Sequence, residues 1–324
     1  MLHSACLLAI LVTAGPGEDQ IHLKDGKVVA GTVTARLKDA VEIEVDGKKR
    51  RIQRGLIDRI TDAAGHIRWV DAQTAKSAHY ELVSNLPRPR AQELLRQLEL
   101  FYAWFHGAFA KDWRLHDLER LRVQCARTRA EYIEHLAKGS TIQPPPQAFF
   151  STGDETLCLC DEPLPGHARA EQTLFHEAGH QLLTLAANFP PGTQDPHYWV
   201  FEALPCTFEG LVEKGGKLVQ VVEKGRSANM KARLKAGKPM KSLAELDAMT
   251  QQGFGVTEYD QGYTLAWFLL TAEGGKHRKG FLAFVQDVAF TRVRPDTFQK
   301  LLGRPIDAFE PAWREFVLGL ELGK

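Results

Sequence analysis

The sequence predicts an α+β chain in which a small all-β unit precedes a larger domain that joins a few strands to a mostly helical second half. Three observations predict it. Up to residue 60, apolar residues recur in short alternating runs broken by Asp-Gly pairs. Beyond residue 77 the apolar period lengthens to that of a helix, and strand-like runs return mainly near residues 121–125 and 148–160. The 324 residues are 44% hydrophobic and 25% charged, enough for a sizeable core and two domains, with no low-complexity tract or fixed repeat to indicate disorder or a solenoid. Basic side chains number 41 and acidic ones 40, so the whole chain offers no electrostatic case for nucleic acid, which calls for a clustered basic excess.

Residues 1–17 resemble a short secretory signal peptide: Ala5 to Val12 is apolar, small Thr13, Ala14 and Gly15 follow, and Glu18 is the first charged side chain. This predicts export to a periplasmic or extracellular compartment. Cys6, with His3 three positions before it, does not make a lipoprotein box. No other run approaches the ~20 apolar residues of a membrane span. Removal of the signal leaves Cys125, Cys158, Cys160 and Cys206, an even number that an exported protein could pair. Cys158 and Cys160 lie two apart on one face of an expected strand, and neither belongs to a CxxC knuckle, so buried free thiols are the expectation.

From Ile21 to Ile60 the alternating runs are separated by Asp25-Gly26 and Asp46-Gly47, both strong hairpin signals. They predict a five-stranded barrel over residues 18–62, similar in pattern to SH3-like or Sm-like domains. The basic cluster Lys48 to Arg51 with Arg54 sits among Glu42, Glu44 and Asp46, and reads as a solvated strand edge rather than a nucleic-acid patch. A linker is expected over 63–77, and one domain over 78–324. In that domain the stripe Leu94, Leu95, Leu98, Phe101, Trp104 and Phe105 predicts an amphipathic helix from Pro87 to Phe109. A strand follows at Leu121 to Cys125, then a helix at Thr128 to Ala137, a Pro144-Pro145-Pro146 break, and two paired strands between Ala148 and Cys160 around the Gly153-Asp154 turn. From Ala168 the pattern is mostly helical, ending in Pro311 to Leu322.

The chemistry concentrates in His176-Glu177-Ala178-Gly179-His180. On a helix, residues four apart lie one turn above each other, so both imidazoles can approach one metal while Glu177 projects beside them toward a water. Leu174, Phe175, Leu182, Leu183 and Leu185 supply the buried side such a helix needs. A catalytic zinc takes three protein ligands and keeps a position open. The stretch from Trp199 to Gly210 begins a second helix and offers Glu202 and, two turns later, Glu209. Glu202 is the expected ligand. Glu209 has two readings, a carboxylate steadying a ligand histidine or an ordinary exposed helix residue.

At these residues the chain resembles the gluzincins, the zinc peptidases that combine H-E-x-x-H with a more distant Glu. The aminopeptidase and leukotriene-hydrolase type commonly carries Trp-Leu-x-Glu-Gly and Tyr-Phe-Glu; here Trp199-Val200-Phe201-Glu202-Ala203 and Thr207-Phe208-Glu209 resemble them, with Ala203 in place of Gly, Val200 in place of Leu and Thr207 in place of Tyr. Tyr259-Asp260-Gln261-Gly262 looks like that type's later Tyr-Glu-Lys-Gly element, whose Tyr stabilises the transition-state oxyanion. The Gly-x-Met-Glu-Asn fingerprint of exopeptidases is absent before His176, which favours an endopeptidase. Over about Ala78 to Leu320 the chain resembles an uncharacterised bacterial peptidase-like family of the same clan. The resemblance implies a zincin-like domain, a Zn2+ held by His176, His180 and Glu202, and hydrolysis of peptides or proteins by a metal-activated water with Glu177 as general base. It also implies Tyr259 as oxyanion donor and an edge strand that aligns the substrate, for which Thr156 to Cys160 is the candidate. Two other readings compete: a scaffold without catalysis that binds envelope proteins, and an adaptor function in the N-terminal unit.

Overall fold

The computed structural model describes residues 18–37, 39–61, 67–68, 71–137, 146–163, 170–190 and 196–322. The expected signal peptide, most of the proline break at 144–146 and the loop through Pro191 and Gly192 lie outside them. The first five strands follow the predicted runs: β1 (Asp19–Leu23), β2 (Val28–Arg36), β3 (Ala40–Val45), β4 (Lys48–Gln53) and β5 (Ile57–Thr61). With β6 (Ile67–Arg68) they form one sheet in the order β4-β3-β2-β1-β5-β6, its neighbours antiparallel, over a small core of Ile21, Val41, Ile43, Ile57 and Ile60.

The expected five-stranded barrel is not confirmed: no closed barrel is found among the described residues. Closure requires the two edge strands to pair, and among the described residues β4 and β6 each have one neighbour. β4 carries Lys48, Lys49, Arg50 and Arg51, all exposed, the composition by which strands resist pairing at an edge. Nor is 63–77 a plain linker, because β6 extends the first sheet and β7 (Gln73–Lys76) joins the second.

The second sheet has five strands, in the order β10-β11-β9-β8-β7, where β8 is Tyr80–Ser84, β9 Leu121–Ala126, β10 Ala148–Ser151 and β11 Thr156–Cys160. β8, β9 and β11 run parallel, and β7 and β10 close the two edges antiparallel. β11 is therefore an interior strand, buried at every position, and not the edge expected from the sequence. That edge is β10. α1 (Arg88–Phe109) packs on this sheet through Leu94, Leu95, Leu98, Phe101 and Phe105, as its stripe dictates. The short α2 (Arg129–Glu131) starts on a Thr128–Glu131 capping box and runs on into a single π turn to Leu136.

The helices that follow are α3 (Ala170–Leu185), α4 (Tyr198–Phe208), α5 (Lys224–Lys235), α6 (Leu243–Asp247), α7 (Val256–Thr271), α8 (Arg278–Ala289), α9 (Thr297–Leu302) and α10 (Glu310–Gly319). One hairpin interrupts the expected helical run: β12 (Leu211–Lys214) and β13 (Lys217–Gln220), turned by Gly215 and Gly216, both at positive φ. The four described cysteines are free and buried. Among the described residues no helix is long and apolar enough to cross a membrane.

α3 and α4 meet where Gly179 faces Phe208, so closely that a Cβ at Gly179 would enter the ring. The ring cannot retreat, because Phe101, Trp104, Phe105 and Phe109 surround it. Alanine gains about 1 kcal/mol over glycine in helix propensity, while overpacking a close-packed core costs about 1–3 kcal/mol and moves backbone. Overpacking is expected to win: Gly179→Ala should lower stability to chemical denaturant. An equal or higher denaturation midpoint would contradict this account of the α3–α4 contact.

Candidate metal centre

α3 presents His176 and His180 on one face, and α4 brings Glu202 against them. All three are buried. The two Nε2 atoms lie 3.2 Å apart, and the Glu202 Oε2 stands 3.4 Å from His176 Nε2 and 3.6 Å from His180 Nε2. Ligand atoms at zinc distances of about 2.0–2.1 Å in a tetrahedron are separated by about 3.3 Å, so the three donors already have the spacing of one coordination face. Their chemistry agrees. His176 Nδ1 faces the Glu209 Oε1 at 2.8 Å, so a proton on Nδ1 is held there and Nε2 is the ring nitrogen turned toward Glu202 and His180, free to bind a cation in exchange for any proton it carries. Two imidazole nitrogens and a carboxylate oxygen converging in a buried space suit a cation. The residues present fit zinc.

A second group, His176, Cys206 and Glu209, is also close enough to hold an ion. It is less suited, since Glu209 already takes both the His176 Nδ1–H and a bidentate guanidinium from Arg226. Burial pushes the Glu209 carboxyl up, but His176 and Arg226 outweigh it and hold the pKa at about 2. Glu209 is thus a fixed anion that orients His176, and not an exposed helix carboxylate. Burial likewise disfavours charge on Glu202, and the two histidines overcome it, holding that carboxyl well below the usual range.

Glu177 projects from the same helix toward the edge strand, where its Oε2 accepts the Phe150 N–H at 3.0 Å. Burial raises its pKa above the ordinary carboxylate value, against the pull of His176 and His180, so it is a stronger base than a surface glutamate.

Tyr259, in the first turn of α7, packs edge-on against Phe254, whose ring also meets that of Tyr198. Tyr198 in turn donates to Glu202 Oε1 at 2.7 Å. Tyr263, four residues on, is fully buried, and its hydroxyl accepts the Glu223 N–H at 2.7 Å, which ties α7 to the start of α5. Ala203, where the resembled motif has Gly, faces Gly262 across the α4–α7 contact: a Cβ at Gly262 would lie 3.4 Å from the Ala203 methyl. This departure from the motif therefore falls at a helix crossing and not among the donors.

Sequence reasoning missed Tyr198, Arg226, Phe150 and Phe201, whose ring lies 4.8 Å from that of His180. Only Tyr198 had a signal, its spacing of one helical turn from Glu202.

Among solved structures the chain is similar to the M1 zinc metallopeptidase from Deinococcus radiodurans, with a TM-score of 0.41 and 14% sequence identity. The match covers 89% of this chain and 59% of that one, so this chain spans well under two thirds of that peptidase. A likeness of this size carries no argument about activity. No protein-family model matches the sequence, and no curated protein matches it.

Proposed function

We propose that the chain is a zinc-dependent peptidase of the gluzincin type, with His176, His180 and Glu202 as ligands and Glu177 as general base. The observation that carries the reading is the convergence of two imidazole nitrogens and one carboxylate at the spacing of a single ion, with a second, more basic carboxylate beside them. Bound zinc would supply Lewis acidity, making a neighbouring water more acidic and drawing charge from a substrate carbonyl.

The protein's own residues do the rest. Glu209 fixes the His176 tautomer and ring plane by accepting its Nδ1–H. Tyr198 occupies one oxygen of Glu202 and leaves Oε2 turned toward the histidines. Glu177 is held by the Phe150 N–H and takes the proton of the attacking water. β10 is a sheet edge beside this base, so an extended peptide can pair with its main chain and bring a scissile bond to Glu177. A hydroxyl from Tyr259 stabilises charge developing on the carbonyl oxygen. Endopeptidase action and export both belong to this proposal.

Digestion of a broad peptide library by the zinc-loaded protein tests it. Cleavage that a chelator abolishes and added zinc restores is the expected outcome, and intact peptides at every tested composition would refute the reading.

A further inference from the structure

Arg226 lies outside every motif the sequence offers, yet it touches three parts of the site. Its Nε and Nη2 each lie 2.8 Å from an oxygen of Glu209, and its Nη1 lies 3.4 Å from Asp260 Oδ1. Its guanidinium carbon stands 5.6 Å from the centre of the Tyr259 ring. We propose that Arg226 is a positioning residue of the metal centre, acting on His176 through Glu209.

The arrangement is built for this. Glu223 caps α5 by accepting the Gly225 and Arg226 N–H groups, and its own N–H is held by the Tyr263 hydroxyl, so the backbone that launches Arg226 is anchored to α7. Asn229 donates to the other oxygen of Asp260 at 3.1 Å, so Asp260 presents a fixed face to the arginine. Glu209 and Asp260 are two largely buried carboxylates, and the Arg226 guanidinium lies between them and contacts both. A planar fork gripping both oxygens of Glu209 also sets the rotation of that carboxylate. Its Oε1 is the atom that receives the His176 Nδ1–H, so the rotation decides where the ligand's Nε2 points. Lysine has the charge but not the fork.

This rests on the reading of His176 as a metal ligand, and the test separates the two. Zinc affinity is measured by competition with a chromophoric chelator for the unaltered protein, Arg226→Gln, Arg226→Lys, Glu209→Gln and the double variant Arg226→Gln/Glu209→Gln. Loss of a group that orients a metal ligand weakens binding by about 10–100-fold. Arg226→Gln is expected to fall in that range, and Arg226→Lys to recover only part of it. The double variant is expected to bind within about twofold of Glu209→Gln alone, because the arginine acts through that carboxylate. Near-UV circular dichroism reports whether each variant keeps its fold; should Arg226→Gln unfold, the folded Arg226→Lys still gives the reading. Unchanged affinity in Arg226→Gln or Arg226→Lys, or losses that simply multiply in the double variant, would overturn the proposal while leaving the metal site intact. No zinc binding by the unaltered protein would overturn the metal site, and this proposal with it.

Discussion

Glu177→Gln is expected to keep its zinc and to lose hydrolysis by roughly 10²–10⁴-fold, the range that a positioned general base contributes. The amide is nearly isosteric and its oxygen can still accept the Phe150 N–H, so the α3–β10 contact survives. What disappears is the ability to take a proton from water. Glu177 is not among the converging donors, so metal content is expected to stay at the unaltered level. Turnover of a cleaved peptide and zinc content are measured on the same preparation. Undiminished turnover would remove Glu177 from the mechanism, and loss of zinc would mean that it had been misplaced relative to the ligands.

Tyr259→Phe is expected to lower kcat by about a hundredfold with KM and zinc content little changed. A donor that strengthens only as charge develops on the oxygen contributes on the order of 3 kcal/mol, and its removal appears in kcat rather than in ground-state binding. Tyr263→Phe removes a different kind of contact. Its hydroxyl serves the Glu223 backbone in a buried contact between α5 and α7, so the expected loss is about 1–3 kcal/mol of stability from an orphaned N–H, with a small effect on kcat. Steady-state kinetics and denaturant titration of the two variants separate these outcomes. The reverse order, or no effect of either hydroxyl on kcat, would withdraw the oxyanion assignment and leave the zinc ligands standing.

Periodicity made much of the fold legible because local pattern and packing agree. The α1 stripe is buried where its spacing puts it, and the β10–β11 pair forms around the Gly153-Asp154 turn. The three converging donors were legible for the same reason: His176 and His180 are one turn apart, and Glu202 lies one turn into the next apolar helix. Strand order was not. Whether β11 is interior or at the edge depends on β9, more than thirty residues away, pairing in parallel along its flank, and a strand's own composition does not record its neighbours. Barrel closure failed similarly, since it turns on what β4 and β6 meet and not on their alternation. The β12–β13 hairpin did carry a signal, Gly215-Gly216 between Val212 and Leu218, hidden within a stretch dominated by helical pattern. Arg226 carried none. It matters only because α4, α5 and α7 converge, which no spacing along the chain expresses.

The central claim is the identity of the three ligands, and elemental analysis of dialysed protein tests it most directly. One zinc per chain is predicted for the unaltered protein and close to none for Glu202→Ala. Glu209→Ala should still acquire zinc, with affinity weakened about 10–100-fold, because it loses a group that orients a ligand rather than the ligand itself. Full zinc in Glu202→Ala together with an empty Glu209→Ala would contradict the account, since the ion would then sit on the Glu209 side of His176.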